Sequence, residues 1–184
     1  MDKVIPFYFS ILQNIPQQIK HQSTVSNYHQ LFFPRAHFDG ATKDGICACG
    51  VYIGISSDLH YFMFWNGGNG TNNKAQAMVL HSLLLLCTFM DIGPINIYGD
   101  SKIIIEHVKG NRTIKNDNLT GWMGRITSLW KPAIFPISHI KFKQNEQVDE
   151  LSKKGMQSPY GKWQLSISME SCTYDIQPFS MPGI

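Results

Sequence analysis

The central part of the chain begins with alternating apolar and polar side chains, and this pattern predicts three β-strands. Residues 46–56 show it best, because every second residue from Cys47 to Ile55 is apolar and would lie on one face of a sheet. Residues 36–42 and 59–66 predict the flanking strands, and Asp44-Gly45 is a typical hairpin pair. We therefore expect a three-stranded meander that ends at the glycine-rich loop 66–70.

Apolar residues then recur at helical spacing, from Ala75 to Met90, after a capping residue at Thr71 or Asn72. Gly93-Pro94 ends this helix. The order of elements is β-β-β-α-β-α-α-β-α, which predicts an α/β (mixed α+β) fold with a five-stranded mixed sheet and helices on its faces. The later elements are predicted as a strand at 95–98, helices at 101–109 and 117–130, a strand at 136–142 and a helix at 146–155.

These elements lie in a central domain, predicted at residues 35–157, that is flanked by two less regular segments. Residues 1–34 combine an apolar run, three prolines and a Gln/Ser/His-rich middle, so we expect an N-terminal arm. Residues 158–184 are proline-containing with a strand-like run at 163–169, and we expect a C-terminal tail that packs partly on the domain.

Composition agrees with a globular protein, since 43% of the residues are hydrophobic and 16% are charged. The net charge of +3 permits a polyanionic partner without requiring one. The longest apolar run is too short to cross a bilayer, so no membrane association is expected. We expect a monomer without a small-molecule cofactor.

The four cysteines show no metal-binding spacing, and Cys47 and Cys49 would share one buried face of a strand. Reduced, buried cysteines predict an intracellular protein, cytoplasmic or nuclear. Three Asn-x-Thr matches would oppose this only with a secretory signal, and the N-terminal sequence lacks a signal cleavage site.

Four polar residues fall where the predicted elements would bring them together. Asp39 lies in the first strand, Asp100 follows the fourth, and Gln76 and Asp149 lie near the starts of helices. Ligand sites in open α/β sheets form where such strand ends diverge. Crowded carboxylates repel one another unless cations lie between them. The pattern therefore predicts a two-metal phosphoryl-transfer site, for which Mg²⁺ is the suitable ion.

In this order and at these distances, four segments resemble the ribonuclease H type 1 family, and especially the RNase H-like domains of plant non-LTR retroelements. The resemblance covers residues 35–157. Each motif is weak alone, but their coincidence is specific. The segments are Phe38-Asp39-Gly40-Ala41, Thr71-Asn72-Asn73-Lys74-Ala75-Gln76, Gly99-Asp100-Ser101 and Asn145-Glu146-Gln147-Val148-Asp149-Glu150-Leu151.

The resemblance implies an RNA–DNA hybrid ribonuclease that cuts the RNA strand with Mg²⁺, or with Mn²⁺ in its place. Asp39, Asp100 and Asp149 match three metal-binding catalytic acids of the family, and Gln76 stands where the fourth, a glutamate, is expected. Loss of a unit charge at about 4 Å in an effective dielectric of about 20 removes roughly 4 kcal/mol of attraction to a cation. Such a loss is roughly a thousandfold in rate, so we expect an impaired nuclease.

For nucleic-acid binding, the resemblance implies that Asn72 and Asn73 sense the 2′-hydroxyl in the minor groove of a hybrid. It also implies that Gly40 allows close approach to the scissile phosphate and that Ser101 hydrogen-bonds nearby. His139 looks like a strand residue rather than the histidine that bacterial members carry in a flexible loop.

Several alternatives stay open at this point. Trp122 and Trp130 are expected to pack, with base stacking as the alternative. The lysines near Asp149 would contact phosphates or form a solvated basic face. The whole protein is either an impaired hybrid ribonuclease or a catalytically silent binding or interaction module. Gln76 itself fits a decayed retroelement copy, a host-adopted module or a deliberate change of Glu to Gln.

Overall fold

A computed structural model describes residues 34–114, 117–170 and 172–180. Strands β1 (Arg35–Lys43), β2 (Ile46–Gly54) and β3 (Leu59–Asn69) form the predicted antiparallel meander. Asp44 and Gly45 both have positive φ, at 52° and 76°, as a tight hairpin turn requires. The predicted N-terminal arm lies outside the described residues apart from Pro34.

The predicted order of elements is confirmed as far as the last predicted helix. The strand expected at 136–142 is shorter, because its second half turns into a 3₁₀ helix in which Lys141 and Gln144 cap each other. The elements after the meander are α1 (Asn72–Phe89), β4 (Asn96–Gly99), α2 (Lys102–Val108), α3 (Asp117–Leu129), β5 (Ile137–His139), the 3₁₀ helix (Phe142–Gln144), α4 (Glu146–Gly155), β6 (Lys162–Met169) and β7 (Cys172–Ser180).

The sheet has seven strands in the order β5-β4-β1-β2-β3-β6-β7, so the predicted number of five was too low. β1, β4 and β5 run parallel, while the other neighbours pair antiparallel. The two additional strands come from residues that were expected to form a tail. β6 is held on the sheet because its alternate side chains are buried, and Trp163 stacks on Trp65 with ring centroids 3.6 Å apart.

Helices cover both faces of the sheet, as predicted. α1 packs on β1 and β2 and against α3, and its Leu80, Leu83 and Leu84 are fully buried in the main core. α4 lies on the other face, over β1, β2 and β3, where Val148 and Leu151 form a smaller apolar cluster. None of the helices in the described ranges is long and apolar enough to cross a lipid bilayer.

The cysteines are free thiols. Cys47 and Cys49 are buried on the α1 side of β2, as predicted, and their Sγ atoms donate to the carbonyls of Thr71 and Ala75. Burial raises the pKa of Cys87 to about 12, so this thiol stays protonated at neutral pH.

Candidate active site

Asp39 lies at the centre of the candidate site, in the middle of the sheet between β2 and β4. Successive side chains of a strand point to opposite faces, so Asp39 faces α4 while its neighbours Phe38 and Gly40 face α1. The Ser152 hydroxyl of α4 donates to Asp39 Oδ2 at 2.8 Å. Only 5% of Asp39 is exposed, so this carboxylate depends on protein donors.

Gln76, in the second turn of α1, reaches Asp39 from the other side. Its Nε2 lies 2.8 Å from Asp39 Oδ1, 3.0 Å from the Gly40 carbonyl oxygen and 3.4 Å from Asp100 Oδ1. Gly40 makes this approach possible, because a Cβ there would lie 2.3 Å from the backbone carbon of Ala75. The Gln76 Oε1 atom is buried and has no hydrogen-bond partner.

Asp100 reaches the site through the register of the parallel strands. Phe38 of β1 pairs with Gly99 of β4, so the residues that follow them, Asp39 and Asp100, lie side by side at this end of the sheet. His139 ends the next strand and donates from Nε2 to the Asp100 carbonyl at 3.1 Å. It thus hydrogen-bonds to the backbone of the site, and its charge opposes the rise in the pKa of the Asp100 carboxyl.

Asp149 lies on α4 and is engaged by a lysine one turn later. The Lys153 Nζ atom is 2.5 Å from Asp149 Oδ2, and the side chain of Asp149 is 15% exposed. α4 is held over β1 by Asn145, a buried residue whose Nδ2 donates to the Phe38 carbonyl at 3.0 Å. The fourth residue of the predicted set therefore lies on the solvent side of the site.

Sequence reasoning assigned no role to Ser152 or Asn145, although both contact β1 directly. Ser152 follows Asp149 by three residues and so shares its helix face, which was the available signal. That signal indicates a shared face, but the contact with Asp39 depends on how closely α4 packs on the sheet.

The charges of the carboxylates affect one another's pKa values. Burial raises the pKa of Asp39 above its usual value, hydrogen bonds from Ser152 and Gln76 oppose this, and the charges of Asp100 and Asp149 add to it. Burial also raises the pKa of Asp100, which the hydrogen bond from Gln76 opposes and the charge of Asp149 increases. The charges of Asp100 and Asp149 thus both contribute to the raised pKa of Asp39, and the assignment of these three residues to one catalytic set stays a prediction.

The metal ion that the resemblance implies does not fit the described arrangement of side chains. Within residues 34–114, 117–170 and 172–180, no three His, Cys, Asp or Glu side chains are grouped so as to hold a metal ion. The groups nearest Gln76 Nε2 are two carboxylates and a carbonyl, which only accept hydrogen bonds, so the amide must present its N–H groups to them. A donor thus lies where a cation would need an oxygen ligand.

The residues predicted to bind nucleic acid fall into two groups. Asn72 and Asn73 are exposed in the first turn of α1, and Ser101 is half-buried at the start of α2. Gly40 is buried against the backbone of α1, so packing alone accounts for the glycine. Its predicted contact with a phosphate stays a prediction.

A groove of about 750 Å³ lies beside the N-terminus of α1. Thr71, Asn73 and Lys74 line one side, and Arg112 and Trp122 line the other. The Trp122 ring is half-buried, and the guanidinium carbon of Arg125 lies 5.1 Å from the ring centroid. Sequence reasoning did not single out Arg112, because a lone cation in a connecting segment carries no pattern.

Trp130 packs as predicted. It is half-buried, and its Nε1 donates to the Phe135 carbonyl at 2.8 Å.

No family model and no curated protein sequence matches this chain. Solved structures do match it. RNase H1 from the halophilic archaeon Halobacterium salinarum NRC-1 aligns with a TM-score of 0.59 at 22% identity, over 67% of this chain and 97% of its own. LC11-RNase H1, solved in complex with an RNA/DNA hybrid, aligns with a TM-score of 0.58 at 21% identity, over 67% and 96%.

The N-terminal RNase H domain of rv2228c from Mycobacterium tuberculosis aligns with a TM-score of 0.57 at 18% identity, over 67% of this chain and 94% of its own. At these identities the likeness defines the fold. The protein therefore has the ribonuclease H fold, a mixed α/β architecture. In this chain β6 and β7 lie at one edge of the sheet.

Proposed function

We propose that this protein is a ribonuclease H-type protein that binds RNA–DNA hybrids and cleaves their RNA strand poorly. The observation that carries the proposal is the meeting of Asp39, Gln76 and Asp100 at one end of the sheet, beside the exposed Asn72 and Asn73. One protein of this fold, LC11-RNase H1, was solved with an RNA/DNA hybrid bound.

Binding would use amides and cations at the N-terminal end of α1. Exposed amide side chains such as Asn72 and Asn73 suit the wide minor groove of an A-like duplex, where base edges and 2′-hydroxyls are accessible. Lys74 and Arg112 in the adjacent groove would contact phosphates, as would the exposed lysines Lys141 and Lys143 near the 3₁₀ helix. The net charge of +3 is compatible with such a partner.

Catalytic assignments follow from the resemblance. Asp39, Gln76, Asp100 and Asp149 would correspond to the catalytic set, and the three aspartates to ligands of Mg²⁺ or Mn²⁺. The donor at Gln76 does not fit that role, so we expect a large loss of cleavage relative to an enzyme with glutamate there. Gly40 and Ser101 complete the proposed nucleic-acid contacts.

The Gln76 amide also favours a second candidate, a silent module that binds nucleic acid or a protein without hydrolysing RNA. The amide donates to Asp39 and Asp100 directly, so hydrogen bonds take the place that catalytic ions would have between these carboxylates. With either candidate we propose an intracellular monomer derived from a plant non-LTR retroelement.

Cleavage of a labelled RNA–DNA hybrid in Mg²⁺ and in Mn²⁺ tests the proposal. The chain itself should cut slowly, and Gln76→Glu should raise the rate by roughly a thousandfold, the factor that about 4 kcal/mol of barrier represents. Gln157→Glu, at an exposed position on the C-terminal side of α4, is the matched control for the added charge and should leave the rate unchanged.

Hybrid binding in a chelating buffer, measured by fluorescence anisotropy, separates the two candidates. A chain that prefers hybrid to double-stranded DNA, and whose Gln76→Glu form stays inactive, is a binding module. Absence of both hybrid binding and restored cleavage would refute the RNase H-type function.

Replacing Asn72 and Asn73 with alanine should reduce the preference for hybrid, because the 2′-hydroxyl contacts are lost.

A further inference from the structure

We propose that Gln76 and Ser152 close the carboxylate site by hydrogen bonds, so that the folded chain needs no cation there. We call Asp39, Gln76, Asp100 and Ser152 the carboxylate clamp. The proposal rests on the geometry of these side chains and is independent of hybrid binding.

Asp39 has a protein donor on each of its two oxygens. Gln76 Nε2 donates to Oδ1 at 2.8 Å. The Ser152 Oγ atom lies 2.8 Å from Oδ2 and 2.9 Å from the Asp149 carbonyl oxygen, and its single proton goes to the carboxylate because a charged acceptor binds it more strongly. Ser152 is fully buried and Asp39 is 5% exposed. A buried carboxylate is stable only when its oxygens accept hydrogen bonds or coordinate a cation, and here hydrogen bonds meet that requirement.

Gln76 also links the second carboxylate to the first. Its Nε2 carries two protons and lies within 3.4 Å of Asp39 Oδ1, Asp100 Oδ1 and the Gly40 carbonyl. The amide therefore places positive partial charge between the carboxylates, as a bound cation would. Its Oε1, buried without a partner, faces away from these acceptors, so donation to the clamp determines the orientation of the amide.

The clamp joins four elements from both faces of the sheet. Asp39 belongs to β1, Asp100 follows β4, Gln76 comes from α1, and Ser152 comes from α4. Breaking it should therefore lower the stability of the whole fold as well as change the site.

A glutamate at position 76 would replace the hydrogen-bond donor of the clamp with a charged acceptor. Its oxygens would face two carboxylates and a carbonyl, all of which accept hydrogen bonds, so the group would be repelled unless a cation or proton lay between them. One residue thus decides whether the site is closed by hydrogen bonds or depends on a metal ion.

The test is thermal unfolding of the full chain and of Gln76→Glu, each in EDTA and in millimolar Mg²⁺. We expect the melting temperature of the unsubstituted chain to be the same in both buffers. The variant should melt lower in EDTA, on the order of 5–10 °C, and Mg²⁺ should restore most of this loss. Gln157→Glu adds the same charge at an exposed position. Its melting temperature should equal that of the unsubstituted chain and should be the same in EDTA and in Mg²⁺.

Two further measurements decide the matter if Gln76→Glu does not fold in EDTA. Ser152→Ala, which removes the other donor, should lower the melting temperature equally in EDTA and Mg²⁺. The unsubstituted chain is the second measurement, because any Mg²⁺ that binds at the clamp should raise its melting temperature. Stabilisation of that chain by Mg²⁺ that disappears in Asp39→Asn would overturn the proposal. So would a Gln76→Glu chain that is as stable as the unsubstituted one in EDTA.

Discussion

Two helices reach Asp39 from opposite faces of the sheet, and they hold it in different ways. α1 is long, carries no acidic residue in its first turn, and is buried along most of its length. α4 is short and polar, and it buries only a narrow stripe that includes Val148, Leu151 and Ser152. The α1 side of the site is therefore held mainly by a long apolar helix, and the α4 side by a short helix that adds two buried polar contacts, from Ser152 to Asp39 and from Asn145 to the Phe38 carbonyl. The difference indicates which contacts tolerate change.

The largest expected effect concerns the two glycines on which these helices pack. A Cβ at Gly40 would lie 2.3 Å from the α1 backbone, and one at Gly50 would lie 2.4 Å from the Val148 carbonyl oxygen in α4. α1 is buried and cannot shift, so we expect Gly40→Ala to cost about 3 kcal/mol or more in free energy of unfolding. For Gly50→Ala we expect about 1–2 kcal/mol, since α4 is short and its outer face is exposed.

Urea denaturation measures both values. Gly124→Ala on α3 is the control, because a Cβ there meets nothing within 4 Å. It should raise stability by about 0.5–1 kcal/mol through helix propensity alone. Equal losses for Gly40→Ala and Gly50→Ala would contradict the difference between the two helices.

The next effect compares two adjacent residues of α4. Ser152→Ala removes the donor to Asp39 Oδ2 and should cost about 1–3 kcal/mol, the range for leaving a buried acceptor unsatisfied. Lys153→Ala breaks only a solvent-exposed pair with Asp149, so we expect no measurable change in unfolding free energy. A large loss from the lysine variant would mean that Asp149 is held more tightly than its contacts indicate.

The last comparison concerns a pH dependence of the free energy of unfolding that comes from Asp39. Its pKa is raised in the folded state, first by burial, so the folded protein holds this proton more tightly than the unfolded chain. Its contribution to stability is fully present below the unfolded pKa and is lost as the pH rises through the folded pKa. Each unit of raised pKa is worth about 1.4 kcal/mol.

Asp39→Asn removes this titration while keeping an acceptor for Gln76. The free energy of unfolding of Asp39→Asn should therefore increase relative to that of the unsubstituted chain as the pH rises from acid to neutral. Urea denaturation at a series of pH values measures the difference. A constant difference across the series would show that Asp39 does not titrate as its surroundings indicate.

Much of the candidate site could be predicted from the sequence, because it rests on local patterns. Strand alternation placed Asp39, the apolar run before Gly99 placed Asp100 at the end of a parallel strand, and helical spacing placed Gln76 near the start of α1. The contact of Ser152 with Asp39 could not be predicted, since it depends on how closely α4 lies on β1. β7 was missed because residues 172–180 carry a weak alternation and a proline.

The sequence by itself determined the order of the elements, the alternating faces of the strands and the meeting of Asp39 and Asp100 at one end of the sheet. Each of these follows from periodicity within an element and from the direction of parallel strands. Only the tertiary structure decided that Gln76 donates to Asp39 and Asp100, that Gly40 is a packing residue and that β6 and β7 extend the sheet. These depend on distances between elements far apart in the chain, because hydrogen bonding and steric contact act over a few ångströms.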